Sequence, residues 1–169
     1  MNAEARATRA VARLLAEIRL DVAVMDERTA RLAVAPALVG PRTGEVVPGA
    51  FDAYVAHEIE RWYSALEAIG ERVARGLDDE IPSGSGWHRE LLERMTLTIP
   101  GFRPALIDTA DLAELTRTLS LRHFLRHAYR VELDPEELER HRARVLALHP
   151  RVRATLDAFM TFLEAMTAE

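Results

Sequence analysis

Apolar residues recur at steps of three and four over four long stretches of the chain, and this spacing decides the fold class. It places an apolar stripe along one side of an α-helix, whereas no segment alternates apolar and polar residues as a half-buried strand does. The first two stripes consist of Val11, Leu14, Leu15, Ile18 and Val22, and of Tyr54, Val55, Ile59, Trp62, Leu66 and Ile69. The chain is therefore predicted to be all-α.

Proline and glycine residues divide the chain into separate helices. The predicted helices cover about 3–35, 51–75, 87–97, 109 or 111 to 130, and 135–166. Pro36 is expected to end the first and Gly76 the second. Asp134 can cap the last helix and Pro135 suits its first position, while Pro150 is expected to kink it. The result is an up-down helical bundle of four long helices plus a short connector helix.

Length and composition exclude several classes of protein. The 169 residues show no linker or repeat and suit a single domain over 1–169. Cysteine is absent, which excludes disulfides and thiol nucleophiles. Neither a signal-peptide core nor an apolar run of membrane-spanning length occurs, so a cytoplasmic location without membrane contact is expected. No histidine or carboxylate pair has convincing metal-ligand spacing, and no metal or other cofactor is expected.

One segment is strongly basic although the chain carries a net charge of −5. Residues 117–130 contain no carboxylate but hold Arg117, Arg122, His123, Arg126, His127 and Arg130. At about 100° per residue, the apolar stripe in the first half of this helix continues as Arg122, His123 and Arg126. The apolar residues of the second half lie on the opposite side. A groove or subunit interface lined with hydrogen-bond donors explains this change of face, whereas a solvated face does not require it.

These side chains suit the cleavage of RNA without a metal ion. We predict that one cleft holds Arg122, His123, Arg126, His127 and Tyr129. A histidine can take a proton from a ribose 2′-hydroxyl or supply one to the leaving oxygen. Arginine can hold a phosphate through two parallel hydrogen bonds and stabilise the charge that grows on it. The alternative interpretation is a solvated basic face whose histidines cap the helix.

The stretch from Arg122 to Tyr129, RHFLRHAY, resembles the signature of the HEPN ribonucleases. In that signature an arginine is followed by a polar residue, here His123, and after four to six intervening positions by a histidine, here His127. In the HepT-like branch a tyrosine follows one residue on, and Tyr129 matches it. A second patch resembles one HepT-like subgroup: Ser83-Gly84, Trp87-His88, Leu91-Leu92, Met95, Pro100-Gly101 and Arg103-Pro104. The resemblance covers about residues 50–165.

The resemblance implies a HEPN-like homodimer in which the motif helices of two subunits face each other and form a composite ribonuclease site. Arg122 and His127 would be catalytic, and His123 would assist. The residues expected to attract RNA are Arg117, Arg126 and Arg130. The resemblance also implies a toxin–antitoxin pair. Its partner would be a minimal nucleotidyltransferase antitoxin that transfers AMP from ATP to Tyr129, which brings bulk and negative charge into the phosphate cleft.

Three functions remain open from the sequence. The leading hypothesis is a ribonuclease toxin with a defined RNA substrate, because an acidic chain has weak general affinity for RNA at physiological salt. The rival is a catalytically inactive HEPN dimer that binds and assists the nucleotidyltransferase. The third is a helical scaffold without a role on RNA.

The remaining conspicuous residues are interpreted as structural. Trp87 is interpreted as a core anchor, and His88 as a cap or a surface residue. His141 and His149 are interpreted as ordinary residues of a helix surface.

Overall fold

A computed structural model describes residues 3–35, 49–127 and 134–168, without the side chains of Arg126 and His127. Its helices in these ranges are α1 (Ala3–Ala33), α2 (Ala50–Gly76), α3 (Trp87–Met95), the 3-10 helix Thr109–Asp111, α4 (Leu112–His127) and α5 (Pro135–Thr167). These ranges contain no strand, only an isolated bridge between Ile99 and Arg103. The all-α prediction is confirmed. None of the described helices combines the length and the apolar character that crossing a membrane requires.

The predicted apolar stripes of α1 and α2 form the centre of the core. The buried stripe residues are Leu14, Leu15, Ile18, Val22, Val55, Ile59, Trp62, Leu66 and Ile69. Val11 and Tyr54 are partly buried against them. α1 packs against both α2 and α5, and α4 packs against α2, α3 and α5. Burial stabilises this bundle, because each large apolar side chain removed from water contributes about 1.5–3 kcal/mol.

Local chemistry sets the ends of the helices near the basic segment. The Asp134 side chain accepts a hydrogen bond from the backbone N–H of Glu136 at 2.9 Å, with Pro135 at the start of α5 as predicted. The Asp108 side chain accepts one from the Ala110 N–H at 2.8 Å and begins the 3-10 helix. α5 continues through Pro150 to Thr167. The kink expected at that proline stays a prediction.

Close packing fixes the short helix α3 against α2. A Cβ atom placed on Gly70 of α2 would lie 2.5 Å from Sδ of Met95 and 3.3 Å from Cγ of Leu91. Any larger residue at position 70 would therefore force side chains of α3 to move. Since Gly70 lies one turn after Glu67, this contact also sets the distance between α3 and that carboxylate.

The loop after α3 is held by one buried arginine. Arg103 is 4% exposed and donates two hydrogen bonds of 2.8 Å to the carboxylate of Asp78, just beyond the end of α2. It also donates to the backbone carbonyl of Leu97 at 2.9 Å. Its backbone pairs with that of Ile99 across a turn at Gly101, where φ is +72°. The Gly101 and Arg103 positions of the second patch therefore have a structural role.

Candidate functional site

Only part of the predicted cleft lies within the described residues. Arg122 and His123 stand on α4, and both side chains are described. The side chains of Arg126 and His127 lie outside the description, as do Tyr129 and Arg130 entirely. The gathering of all five predicted residues in one cleft therefore stays a prediction.

Arg122 is buried, although it continues an apolar stripe. It is 6% exposed and follows Leu115 and Leu119 along the inner face of α4. Its Nη2 atom lies 3.0 Å from Oε1 of Glu67 on α2, and both side chains are 7% exposed. A charge removed from water needs such a partner, because its desolvation costs several kcal/mol when unpaired. Glu67 of α2 therefore explains why a charged residue continues the buried apolar stripe of α4.

Two other nitrogens of Arg122 lack a partner in the described part of the chain. Nε and Nη1 are buried and have no hydrogen-bond acceptor among the residues that the structure describes. The guanidinium carbon lies 5.8 Å from the centre of the Tyr63 ring. Buried donors without an acceptor are costly and uncommon in folded proteins. An anion at Arg122 would accept hydrogen bonds from Nε and Nη1, while Glu67 remained bound to Nη2.

The second oxygen of Glu67 contacts a histidine for which the sequence predicts a structural role. Oε2 of Glu67 lies 2.5 Å from Nδ1 of His88, near the start of α3. The His88 ring stacks on Trp87, with centroids 3.7 Å apart, and stands edge-on to the His123 ring at 5.0 Å. The interpretation of His88 as a cap or surface residue is wrong. Trp87 is partly buried against the core, which agrees with its predicted anchoring role.

We refer to these neighbouring residues as the Glu67 cluster, formed by Tyr63, Glu67, Trp87, His88, Arg122 and His123. The pKa of Tyr63 is raised far above its usual range, mainly by burial and further by the charge of Glu67, while Arg122 opposes the shift. Tyr63 therefore stays neutral at physiological pH. The cluster can hold an anion at Arg122 and move a proton at a histidine, which are the two requirements of phosphodiester cleavage.

One sequence signal for Glu67 exists but is visible only in retrospect. The four-residue step from Tyr63 to Glu67 places both on one helix face, which borders the apolar stripe of α2. A charged residue in such a position needs a buried partner of opposite charge. The sequence does not say which arginine or histidine supplies it.

Arg117 stands apart from the Glu67 cluster. Five residues before Arg122, it points about 140° away around the helix axis. It is exposed and forms an ion pair with Glu114, whose carboxylate also binds Arg144 at 2.6 Å. The hydrogen bond from Arg144 lowers the pKa of Glu114. Arg117 lines a groove of about 590 Å³ between α4 and α5, which no residue of the Glu67 cluster lines.

Two further histidines depart from their interpretation as surface residues. His141 on α5 is 7% exposed. His149, also on α5, accepts a hydrogen bond from Nε1 of Trp62 at 3.1 Å. The expectation of an ordinary surface position is wrong for both. Within 3–35, 49–127 and 134–168, histidines and carboxylates form no group of three or more that could hold a metal ion.

The chain matches the model of a known protein family. The model of a family described as HepT-like protein matches residues 54–163, which extend from the first turns of α2 into the second half of α5. The matched range contains the whole Glu67 cluster and the RHFLRHAY stretch, and it leaves out α1. Neither a curated protein nor a solved structure matches the chain.

Proposed function

This chain belongs to the HepT-like family, and from that premise we propose that it is an endoribonuclease toxin that cleaves RNA without a metal ion. The site would be composite, with the α4 helices of two subunits facing each other in a homodimer. The observation that carries the proposal is the state of Arg122. It is bound by Glu67 at Nη2 and has two buried donors without an acceptor in the part of the chain that the structure describes. A phosphate oxygen is the ligand that such donors suit.

The proposed chemistry uses the ribose as nucleophile. His127 takes the proton of the 2′-hydroxyl, and the 2′ oxygen attacks the neighbouring phosphorus. The bond from phosphorus to the 5′ oxygen breaks, which leaves a 2′,3′-cyclic phosphate and a free 5′-hydroxyl. Arg122 stabilises the charge that grows on the non-bridging oxygens, and His123 assists. Arg126, Arg130 and Arg117 would attract the RNA backbone.

A net charge of −5 supports a defined RNA substrate rather than bulk degradation. Sequence-independent affinity for RNA depends on the phosphates that a protein neutralises and falls steeply with salt. An acidic protein with one basic segment neutralises few of them. Selection of the substrate would then depend on shape or on a specific sequence at the cleft.

The antitoxin in this proposal is a minimal nucleotidyltransferase that transfers AMP from ATP to Tyr129. Tyr129 follows His127 by two residues in the chain. An adenylate there would add negative charge beside the residues that bind the RNA phosphate and would repel it. The proposed partners are thus the RNA substrate, a second copy of the chain and the antitoxin.

A second candidate function has its own support in the contact between Arg122 and Glu67. That contact neutralises much of the charge that a catalytic arginine offers to phosphate. A catalytically inactive dimer that binds and assists the nucleotidyltransferase would keep the same fold and the same buried pair.

Cleavage of labelled total RNA in EDTA tests the proposal, after intact-mass measurement has shown that the purified chain carries no AMP. We expect the wild type to leave 2′,3′-cyclic phosphate ends. The His127→Ala variant should lose about 10²–10⁴-fold in rate, the usual contribution of a general base. Arg122→Lys keeps a charge near Glu67 but loses the planar donors, so its rate should fall as well.

The matched control is Arg89→Ala, because Arg89 is an exposed arginine of α3 that pairs with Glu93 of the same helix. Its rate should equal that of the wild type. If unmodified, dimeric wild-type protein cleaves no class of RNA, the ribonuclease proposal is wrong and the inactive dimer becomes the leading function.

A further inference from the structure

We propose that His88 is the general acid of this site, which protonates the 5′ oxygen as it leaves. The inference rests on the proposed ribonuclease function and extends it to a residue of α3, outside the RHFLRHAY stretch. Its basis is the position of His88 on the carboxylate that also holds Arg122.

Cleavage through the 2′ oxygen requires two proton transfers. One proton leaves the 2′-hydroxyl as the new bond to phosphorus forms, and His127 is the proposed acceptor. A second proton must reach the 5′ oxygen as its bond to phosphorus breaks, because an alkoxide is a poor leaving group. One histidine cannot be the base and the acid of the same step. A second donor is therefore needed near the phosphate.

Glu67 places His88 beside the phosphate-binding arginine. Its two carboxylate oxygens bind Arg122 Nη2 at 3.0 Å and His88 Nδ1 at 2.5 Å. The guanidinium of Arg122 and the imidazole of His88 therefore bind the same planar carboxylate. A phosphodiester bound by Nε and Nη1 of Arg122 would have its bridging oxygens within reach of a histidine held on the same carboxylate.

The contact with Glu67 also decides which ring nitrogen of His88 is available. Nδ1–H donates to the carboxylate, so Nε2 is the ring nitrogen that can serve a substrate. A carboxylate that holds one nitrogen of a histidine fixes the orientation of the ring and stabilises the imidazolium. The His88 side chain is 18% exposed and Glu67 is 7% exposed, so the ring is the more accessible of the two.

The proton balance of the proposed step is complete. His88 enters with protons on both ring nitrogens and gives the Nε2 proton to the 5′ oxygen. It leaves as a neutral ring that still donates Nδ1–H to Glu67. Water restores the proton afterwards, and His127 returns to water the proton that it took from the 2′-hydroxyl.

A substrate with a 5′-bridging sulfur in place of the oxygen tests this role directly. A thiolate leaves without prior protonation, so loss of the general acid no longer slows cleavage. The variant is His88→Asn, whose amide can still donate to Glu67 but has no group at the position of Nε2. On ordinary RNA we expect its rate to fall by about 10²–10⁴-fold. On the sulfur substrate it should approach the wild-type rate.

The controls separate a catalytic role from a structural one. His127→Ala should be slow on both substrates, because the base is needed in each. His57→Asn removes an exposed histidine of α2 and should match the wild type on both. Thermal unfolding of His88→Asn shows whether α3 remains docked.

Each contrary result has a defined meaning. Equal losses of His88→Asn on the two substrates overturn the general-acid role and leave His88 a structural residue. If the sulfur substrate instead restores the rate of His123→Asn, the general acid is His123, the neighbour of His88 in the cluster. If wild-type protein cleaves neither substrate, the failure lies with the proposed ribonuclease function itself.

Discussion

A carboxylate removed from water destabilises a folded protein unless cationic or hydrogen-bonding groups surround it. Glu67 meets that condition through two residues far from it in the chain, Arg122 on α4 and His88 on α3. Glu58, the other glutamate that is deeply buried on α2, is paired with Arg28 of α1 at 3.2 Å. Each buried acid of α2 therefore joins that helix to a different neighbour. Among the described residues, Arg28 keeps one buried nitrogen without an acceptor, Nε, and Arg122 keeps two.

His149 of α5 contacts both α1 and α2, and its role as a hydrogen-bond acceptor requires the neutral imidazole. Its Nδ1 accepts from Trp62 of α2 at 3.1 Å, and its Nε2 lies 3.0 Å from Asp26 of α1. Burial lowers the pKa of His149 from its ordinary value of 6.5, Asp26 opposes the shift, and Arg153 adds to it. The folded protein therefore binds this proton more weakly than the unfolded chain does.

The first prediction concerns the pH dependence of stability. As pH falls below about 6.5, the unfolded chain takes up the His149 proton before the folded protein does, so the free energy of unfolding should fall. The His149→Asn variant, which can still accept from Trp62, should show a smaller fall between pH 7.5 and 5. Urea unfolding at the two pH values measures it. His57→Asn is the control, and an equal reduction in that variant contradicts the prediction.

At the scale of elements, the C-terminal end of α3 is held by contacts that the following loop supplies. The backbone N–H of Leu106 donates to the carbonyl of Met95 at 2.8 Å and closes the end of the helix. Arg103 ties the loop beyond it to Asp78. Because α3 carries His88, these structural contacts also determine the geometry of the Glu67 cluster.

The second prediction is that Arg103→Ala strongly destabilises the fold. It leaves the Asp78 carboxylate without its partner and removes the donor to the Leu97 carbonyl. Loss of one partner from a buried ion pair costs roughly 3 kcal/mol. The exposed pair of Arg89 with Glu93 on α3 is the control, since Arg89→Ala should cost at most about 1 kcal/mol. Similar losses in both variants, measured by urea unfolding, contradict the importance of Arg103.

The sequence predicted helices better than contacts between helices. Asp134, Pro135 and Gly76 define helix ends through local chemistry, and the structure places the ends close to the predicted positions. The contact between Glu67 and His88 could not be predicted in this way. It joins residues 21 positions apart and depends on how closely α3 docks on α2. Apolar periodicity shows which face of a helix is buried but not which helix covers it.

At the scale of the whole molecule, the proposed function requires two copies of the chain. The α4 helices of two subunits would contribute to one site, so a separated 19.0 kDa chain would hold only part of it. The positive charge of residues 117–130 would then be concentrated at the contact between subunits, although each subunit is acidic overall.

The third prediction concerns the oligomeric state. Sedimentation should give a mass of twice 19.0 kDa, and the rate of RNA cleavage per chain should fall when the protein is diluted below the dissociation constant of the dimer. The His127→Ala variant should sediment as the wild type does. A monomer with a rate per chain that is independent of concentration contradicts the composite site.

The shared carboxylate of Glu67 also constrains how this protein can evolve. Arg122 and His88 both bind the carboxylate of Glu67. The effect of a substitution at any one of these three positions therefore depends on the residues at the other two, which is epistasis with a structural cause. A lineage that loses Arg122 retains a buried acid with one cation fewer, and neutral residues at position 67 then become favourable. In a selection against the proposed toxicity, we expect substitutions at position 122 to come first and substitutions at position 67 to follow in their descendants.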